Sequence, residues 1–184
     1  MELMDVIRNR RAVRDYKDVS IQHHELQSVI DAAILAPSAM NHQPWAFAAS
    51  VDRARIDDFS NRAKSWLLEN PSALRTELYA HLKDQKLALL YHAPALILVL
   101  ATSPDSQAVE DCCLAAQNLM LAARDAGLGT CWIGLSRPWF DLSATKRELG
   151  LPDSYRVVAP IILGHPKDWP ESHGRNPAEI HWIR

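Results

Sequence analysis

Four arginines, Arg8, Arg10, Arg11 and Arg14, fall within seven positions near the start of the chain. A guanidinium is planar, and its donor fork matches a phosphate or carboxylate two bonds at a time. Several in one short loop repel one another unless an anion sits among them. The cluster therefore points either to a phosphate-bearing ligand or to a solvated basic turn. Tyr16 is the one aromatic ring nearby, too little stacking surface for a nucleic-acid patch. The second chemical stretch is 36–45, APSAMNHQPW, in which prolines bracket a hydroxyl, two amides and an imidazole. A rigid loop of this kind places fixed donors and acceptors, as a site for a heteroaromatic ligand needs. The same composition equally fits a capped helix end and a turn. The third stretch, 127–134 (GLGTCWIG), follows a helical pattern and becomes a strand. A dinucleotide fingerprint does the reverse, and no Walker sequence occurs, so neither a Rossmann nor a P-loop site is expected. Gly134, at the end of that strand, would let a backbone N–H approach a flat ligand closely.

Other reactive residues point to less. The eight histidines are scattered, and none stands at a metal-ligand spacing to cysteine or acid. No G-x-S-x-G elbow is present. Cys112 and Cys113 lie in a helical apolar stripe, the place of small core residues. Trp132 and Trp139 fit a pocket floor or, more commonly, a structural core.

The elements that must position these residues follow from periodicity. Short helices are expected over 2–8 and from Ser20, as N-cap, to Pro37, with Leu26, Val29, Ile30 and Ala33 at helical spacing. A strand-like run at 45–51 follows, then helices over 53–69 and 72–91. Residues 95–101 are apolar throughout, as in a strand covered on both faces. The clearest helix covers 105–126 and stops at Gly127. Further expected elements are a strand over 128–134, a helix over 138–149 and a strand over 156–164, where Pro160 requires an edge or a bulge. Together they imply one α+β domain over 1–184, a sheet between helical layers. The tail is rich in proline and polar residues yet ends in Ile180, His181, Trp182 and Ile183. It lies either on its own domain or across a partner subunit.

Composition narrows the class. The chain has 184 residues, 48% hydrophobic and 23% charged, enough to bury a core without disulfides or a metal. A net charge of -2 gives no basic field for nucleic acid. The longest apolar run is too short to span a membrane, which needs about 20 residues. Three cysteines at no paired spacing, and acids rather than bases at the start, point to the cytoplasm.

Taken in order, the segments RRAVRDY (10–16), APSAMNHQPW (36–45), DCCLAAQNLMLAARDAGLGTCW with Ile133 and Gly134, and LGLP (149–152) before LGHP (163–166), then Arg175, resemble the nitroreductase family of flavoenzymes. The resemblance spans nearly the whole chain and is weakest over 53–91. It implies a three-layer α/β/α fold around a mixed central sheet, with the C-terminal segment exchanged between the subunits of a homodimer. It also implies two FMN sites at the interface. In that pattern Arg10, Arg11 and Arg175 hold the phosphate, and Arg14 lies by the pyrimidine edge of the ring, where negative charge collects on reduction. Pro37, Ser38, Ala39, Asn41 and Gln43 of the other chain line the ring and ribityl group. Ile133 and Gly134 flank N5. Two departures stand out: Ala12 replaces a frequent serine, and His173 stands where some members carry lysine. The activity implied is ping-pong hydride transfer from NADH or NADPH to a nitroaromatic or quinone. Dehydrogenation, dehalogenation, flavin breakdown and non-catalytic flavin binding are the alternatives.

Overall fold

The computed structural model describes residues 1–71 and 76–183. Strand β2, Ala95–Ala101, organises it, being buried at every residue. Side chains alternate across a pleated strand, so Ala95, Ile97, Val99 and Ala101 enter one core while Leu96, Leu98 and Leu100 enter another. Burying each of these larger side chains contributes about 1.5–3 kcal/mol. The other strands are β1 (Trp45–Ser50), β3 (Gly129–Trp132) and β4 (Arg156–Gly164), in the spatial order β1-β2-β4-β3. All three ladders are antiparallel, and a lone bridge between Ala12 and Thr130 is parallel.

Helices α2 (His23–Ala33) and α5 (Ser106–Asp125) cover the first face, with α1 (Leu3–Asn9) packed on α5. Helices α3 (Arg53–Glu69) and α6 (Arg137–Phe140) cover the second, where Phe140 packs edge to face with Phe59 and Trp139 and the Phe59–Trp139 pair is tilted, with centroids 5.0–5.9 Å apart. The result is a three-layer α+β fold. Helix α5 shows how sequence dictates its place. Asp105 caps it by accepting from the Gln107 N–H at 3.1 Å, and Gly127, at φ 76°, ends it in the left-handed region. Between them Cys112, Ala116, Leu119, Met120 and Ala123 form the buried stripe.

Several boundaries differ from expectation. The N-cap of α2 is Gln22, not Ser20: its side chain and Glu25 form a reciprocal capping box, while Ile21 is buried ahead of the helix. The helix ends at Ala33 rather than at Pro37, because residues 34–36 turn to bury Ala36. The helix expected over 138–149 is two, α6 and α7 (Ser143–Glu148). Asp141 leaves the helix to accept from the Val157 N–H at 2.9 Å, and Leu142 is extended. In the 72–91 span only α4 (Thr76–Leu82) is helical; residues 72–75 lie outside the described residues, and 83–91 form turns.

Pro160 lies on β4, between two neighbours, and pairs in register with Leu98; the register slip between Val99 and Leu100 falls at Val158 instead, and the N–H that proline lacks faces the end of β3. Its carbonyl accepts from the Ile133 N–H at 2.8 Å. The N–H that would return that bond does not exist in proline, so β3 stops half a rung beyond Trp132.

Two glycines fix where the arginine loop docks. A Cβ on Gly129 would lie 2.7 Å from Val13 Cβ, and one on Gly164 would lie 2.6 Å from the Tyr16 ring and 2.7 Å from Pro94. Neither needs a left-handed backbone; both need the missing side chain. Gly164→Ala is therefore expected to destabilise the fold by about 1–3 kcal/mol, the usual cost of overpacking. A urea midpoint that does not fall would contradict this close approach.

Candidate functional site

Residues 12–17 are stapled to the sheet end. The Val13 N–H donates to Thr130 O at 2.9 Å, Tyr16 Oη donates to Val13 O at 2.7 Å, and the Lys17 N–H donates to His165 O at 2.8 Å. Val13 and Tyr16 thus point inward and are buried. Arg10, Arg11 and Arg14 flank them. Arg11 donates from Nη1 to Arg8 O at 2.6 Å and to Arg10 O at 2.8 Å, yet its Nε is buried without a partner. Burial pulls the Arg10 pKa below its ordinary value, and the Arg175 and Arg11 charges pull it further. Among the described residues no acid forms a salt bridge with Arg10, Arg11 or Arg175. A cationic cluster with an orphaned buried donor is a place for an external anion.

Three cavities adjoin the cluster. The largest, about 520 Å³, is lined by Arg11, Ala12, Arg14 and Tyr91 from the body, and by Asp168, Glu171 and His173 from the C-terminal segment. A second of about 390 Å³ shares Arg11 and adds Arg8 and Arg175. A third of about 120 Å³ shares Arg14 and Tyr91 and reaches Ile133 and Gly134. The first lies within the range of ligand sites, roughly 300–1,000 Å³. Arg14 stacks over Tyr91, with Cζ 5.7 Å from the ring centroid. The structure thus gathers Arg10, Arg11, Ala12, Arg14, Ile133, Gly134, His173 and Arg175. It also brings in Leu87, Leu89 and Tyr91, which sequence reasoning missed. Their only signal is an apolar run before a Pro-led strand. Tyr91 and His92 both have positive φ, 53° and 50°, a pairing of non-glycine residues that sequence does not announce.

Gly134 is placed by the interrupted ladder. Ile133 O, left without a donor from Pro160, accepts instead from the Ser136 N–H at 3.0 Å and from Ser136 Oγ at 2.8 Å. The chain turns there into a 3₁₀ turn, Gly134–Ser136, and a Cβ on Gly134 would meet nothing within 4 Å. Cys131, just before, is buried. Burial pushes its thiol pKa up, against the pull of Arg14 and Arg10.

The loop of residues 37–43 lies elsewhere. Ser38 Oγ accepts from the Gln43 N–H at 2.9 Å, and Gln43 Nε2 donates to Asn41 Oδ1 at 3.1 Å. Met40, Asn41 and Gln43 all have positive φ, while Pro37 is exposed. The loop is anchored by Asp111 on α5, whose buried carboxylate accepts from the Ala39 N–H at 3.3 Å and from Gln107 Nε2 at 3.3 Å. Arg124, whose pKa is lowered by burial and then by the charge of Arg11, stands thirteen positions further along the same helix. At 1.5 Å per residue the two anchor points are about 20 Å apart. One chain therefore does not unite residues 37–43 with the arginine cluster.

A family model described as the Nitroreductase family matches residues 7–165, which contain both the arginine loop and the 37–43 loop. The chain belongs to the nitroreductase family. An Archaeoglobus fulgidus relative, provisionally named NADH dehydrogenase/NAD(P)H nitroreductase, is 32% identical over 98% of this chain and 97% of its own. The 5,6-dimethylbenzimidazole synthase of Rhodospirillum rubrum is 31% identical over 86% of this chain and 79% of its own. The crystal structure of a Bacteroides fragilis nitroreductase with bound FMN superposes with a TM-score of 0.86 at 25% identity, covering 100% of both chains.

In this family member Ser136→Ala would remove the buried Oγ–Ile133 O bond. The expected loss is about 1 kcal/mol, read as a lower denaturation midpoint. An unchanged midpoint would show that the bond does not hold the Gly134 turn.

Proposed function

We propose that residues 1–184 act as one FMN-binding unit, and that two copies form an oxidoreductase passing electrons from NADH or NADPH to a small acceptor such as a nitroaromatic or quinone. The observation that carries this reading is the guanidinium cluster with its unpartnered Arg11 Nε, beside a 520 Å³ cavity. It fits a phosphate, and the adjoining Ile133 and Gly134 lie by open space suited to a flat ring. Arg10, Arg11 and Arg175 would hold the phosphate, with His173 as a fourth partner. Ala12 offers no hydroxyl, so the phosphate relies on the guanidinium groups. Arg14 would fix a cation at the pyrimidine edge, favouring electron uptake there. FMN, when bound, supplies the redox chemistry by taking hydride from the nicotinamide and releasing electrons to the acceptor. The chain's part is to bind, orient and exclude water. Donor and acceptor would use the same slot in turn.

A second copy would contribute Pro37, Ser38, Ala39, Asn41 and Gln43, whose support on α5 lies about 20 Å along the helix from Arg124. Exposed apolar residues support that assembly. Leu3, Met4 and Ile7 of α1 and Leu114 of α5 are exposed, and in the tail Ile180, Trp182 and Ile183 are 61%, 83% and 99% exposed. Among the described residues no helix is long and apolar enough to cross a membrane. The Rhodospirillum relative, a synthase by name, favours one further reading, a specialised activity on the same scaffold.

Purified protein reconstituted with FMN is expected to be yellow, to bleach anaerobically with NADH or NADPH, and to recover colour with menadione or a nitrofuran. Failure to take up FMN would defeat the proposal. Tight uptake without turnover would leave a binder only. Arg10→Gln should weaken FMN binding about 10- to 100-fold, the worth of one or two charged hydrogen bonds, measured by fluorescence titration.

A further inference from the structure

The C-terminal segment must bring His173 and Arg175 to the cluster, and its ties to the body can be followed one by one. Tyr16 and Pro166 form a bridge, and the Lys17 N–H donates to His165 O at 2.8 Å. Lys167 donates from its backbone to Asp15 O at 3.2 Å and from Nζ to Asp15 Oδ1 at 2.8 Å. After that comes a single tie: the Arg124 guanidinium lies on the Trp169 ring, with Cζ 3.5 Å from the centroid. Beyond Trp169 the hydrogen bonds among the described residues are local: the Gly174 N–H donates to Ser172 Oγ, Arg175 Nη1 donates to Gly174 O, and His181 Nε2 pairs with Glu179 Oε1. Residues 170–183 are exposed.

Arg124 is unusual at its own end. Its Nε is buried without a partner, Asp125 beside it pairs with the Met1 amino group, and its pKa is lowered by burial and then by the charge of Arg11. The guanidinium therefore lies on an indole within reach of the Arg11 charge, and among the described residues no acid forms a salt bridge with it. An anion among the guanidinium groups relieves that repulsion, and the indole contact holds the segment that carries Arg175.

From this we infer that Arg124 and Trp169 form a positioning clasp for the phosphate grip, coupling the docking of the C-terminal segment to occupation of the anion site. The inference rests on the proposed FMN site and adds residues outside it. Two groups that each favour the docked, anion-bound state must show the coupling in either direction. Without the clasp, the chain up to Arg175 is held last at Lys167, and ordering each freed residue costs about 1–2 kcal/mol of entropy.

The test uses the full-length protein and two flavins. FMN carries the phosphate; riboflavin lacks it. Dissociation constants of both are measured for the wild type and for Arg124→Met and Trp169→Leu, with Arg124→Lys and Trp169→Phe in case the first pair fails to fold. Arg124→Met and Trp169→Leu should weaken FMN about 5- to 20-fold, the range of a desolvated cation–π contact, and leave riboflavin unchanged. Trp169→Phe, which keeps an aromatic face, should retain most of the preference, and Arg124→Lys should lose part of it. A merely structural role would weaken both flavins alike. An unchanged preference in the variants, or an equal loss for both flavins, overturns the clasp. A wild type that shows no preference for FMN overturns the phosphate site itself, which is a separate failure.

Discussion

Like charges held side by side need a scaffold that does not let them drift apart. Half-buried Arg10 and Arg11 meet exposed Arg175, none of them in a salt bridge among the described residues, and repulsion alone would turn each away. The body of the protein resists this through backbone rather than side-chain salt bridges. Val13 and Tyr16 are sunk into the sheet end, Thr130 and His165 take the loop's N–H groups, and Gly129 and Gly164 leave room for the approach. Close packing to the core thus holds an electrostatically unfavourable array at the edge of the cavity. Strain of this kind is commonly concentrated where a ligand relieves it.

The second constraint is length. Helix α5 carries the support of the 37–43 loop near one end and Arg124 at the other, so a rigid rod separates the two. In the proposed dimer, association would bring one chain's loop to the other chain's arginines. An apolar tail and an apolar face on α1 are what such an association would cover.

Much of the fold was legible because burial leaves a periodic trace. The uniform apolarity of 95–101 reports a strand covered on both faces, and the stripe of α5 with Gly127 after it reports both the helix and its stop. Where sequence reading failed, a tertiary contact outbid a local one. Asp141 broke a continuous helical pattern to serve Val157; the shift of the cap from Ser20 to Gln22 is instead local, because Glu25 answers it from three residues on. The site was legible where type and spacing coincide, as in the arginine loop. Leu87, Leu89 and Tyr91 carry no such mark; their role depends on two successive left-handed residues. Nor did the sequence reveal Arg124, which reads as an ordinary basic residue in a last helical turn until Trp169 is seen beneath it.

The imino acid within β4 acts as a stop that sets a strand's length. Any residue with an amide at 160 could zip β3 onward by completing the rung to Ile133, drawing the carbonyl away from Ser136 and straightening the bend. Pro160 forbids that continuation chemically rather than sterically. The doorway beside Gly134 is kept ajar by a hydrogen that was never there.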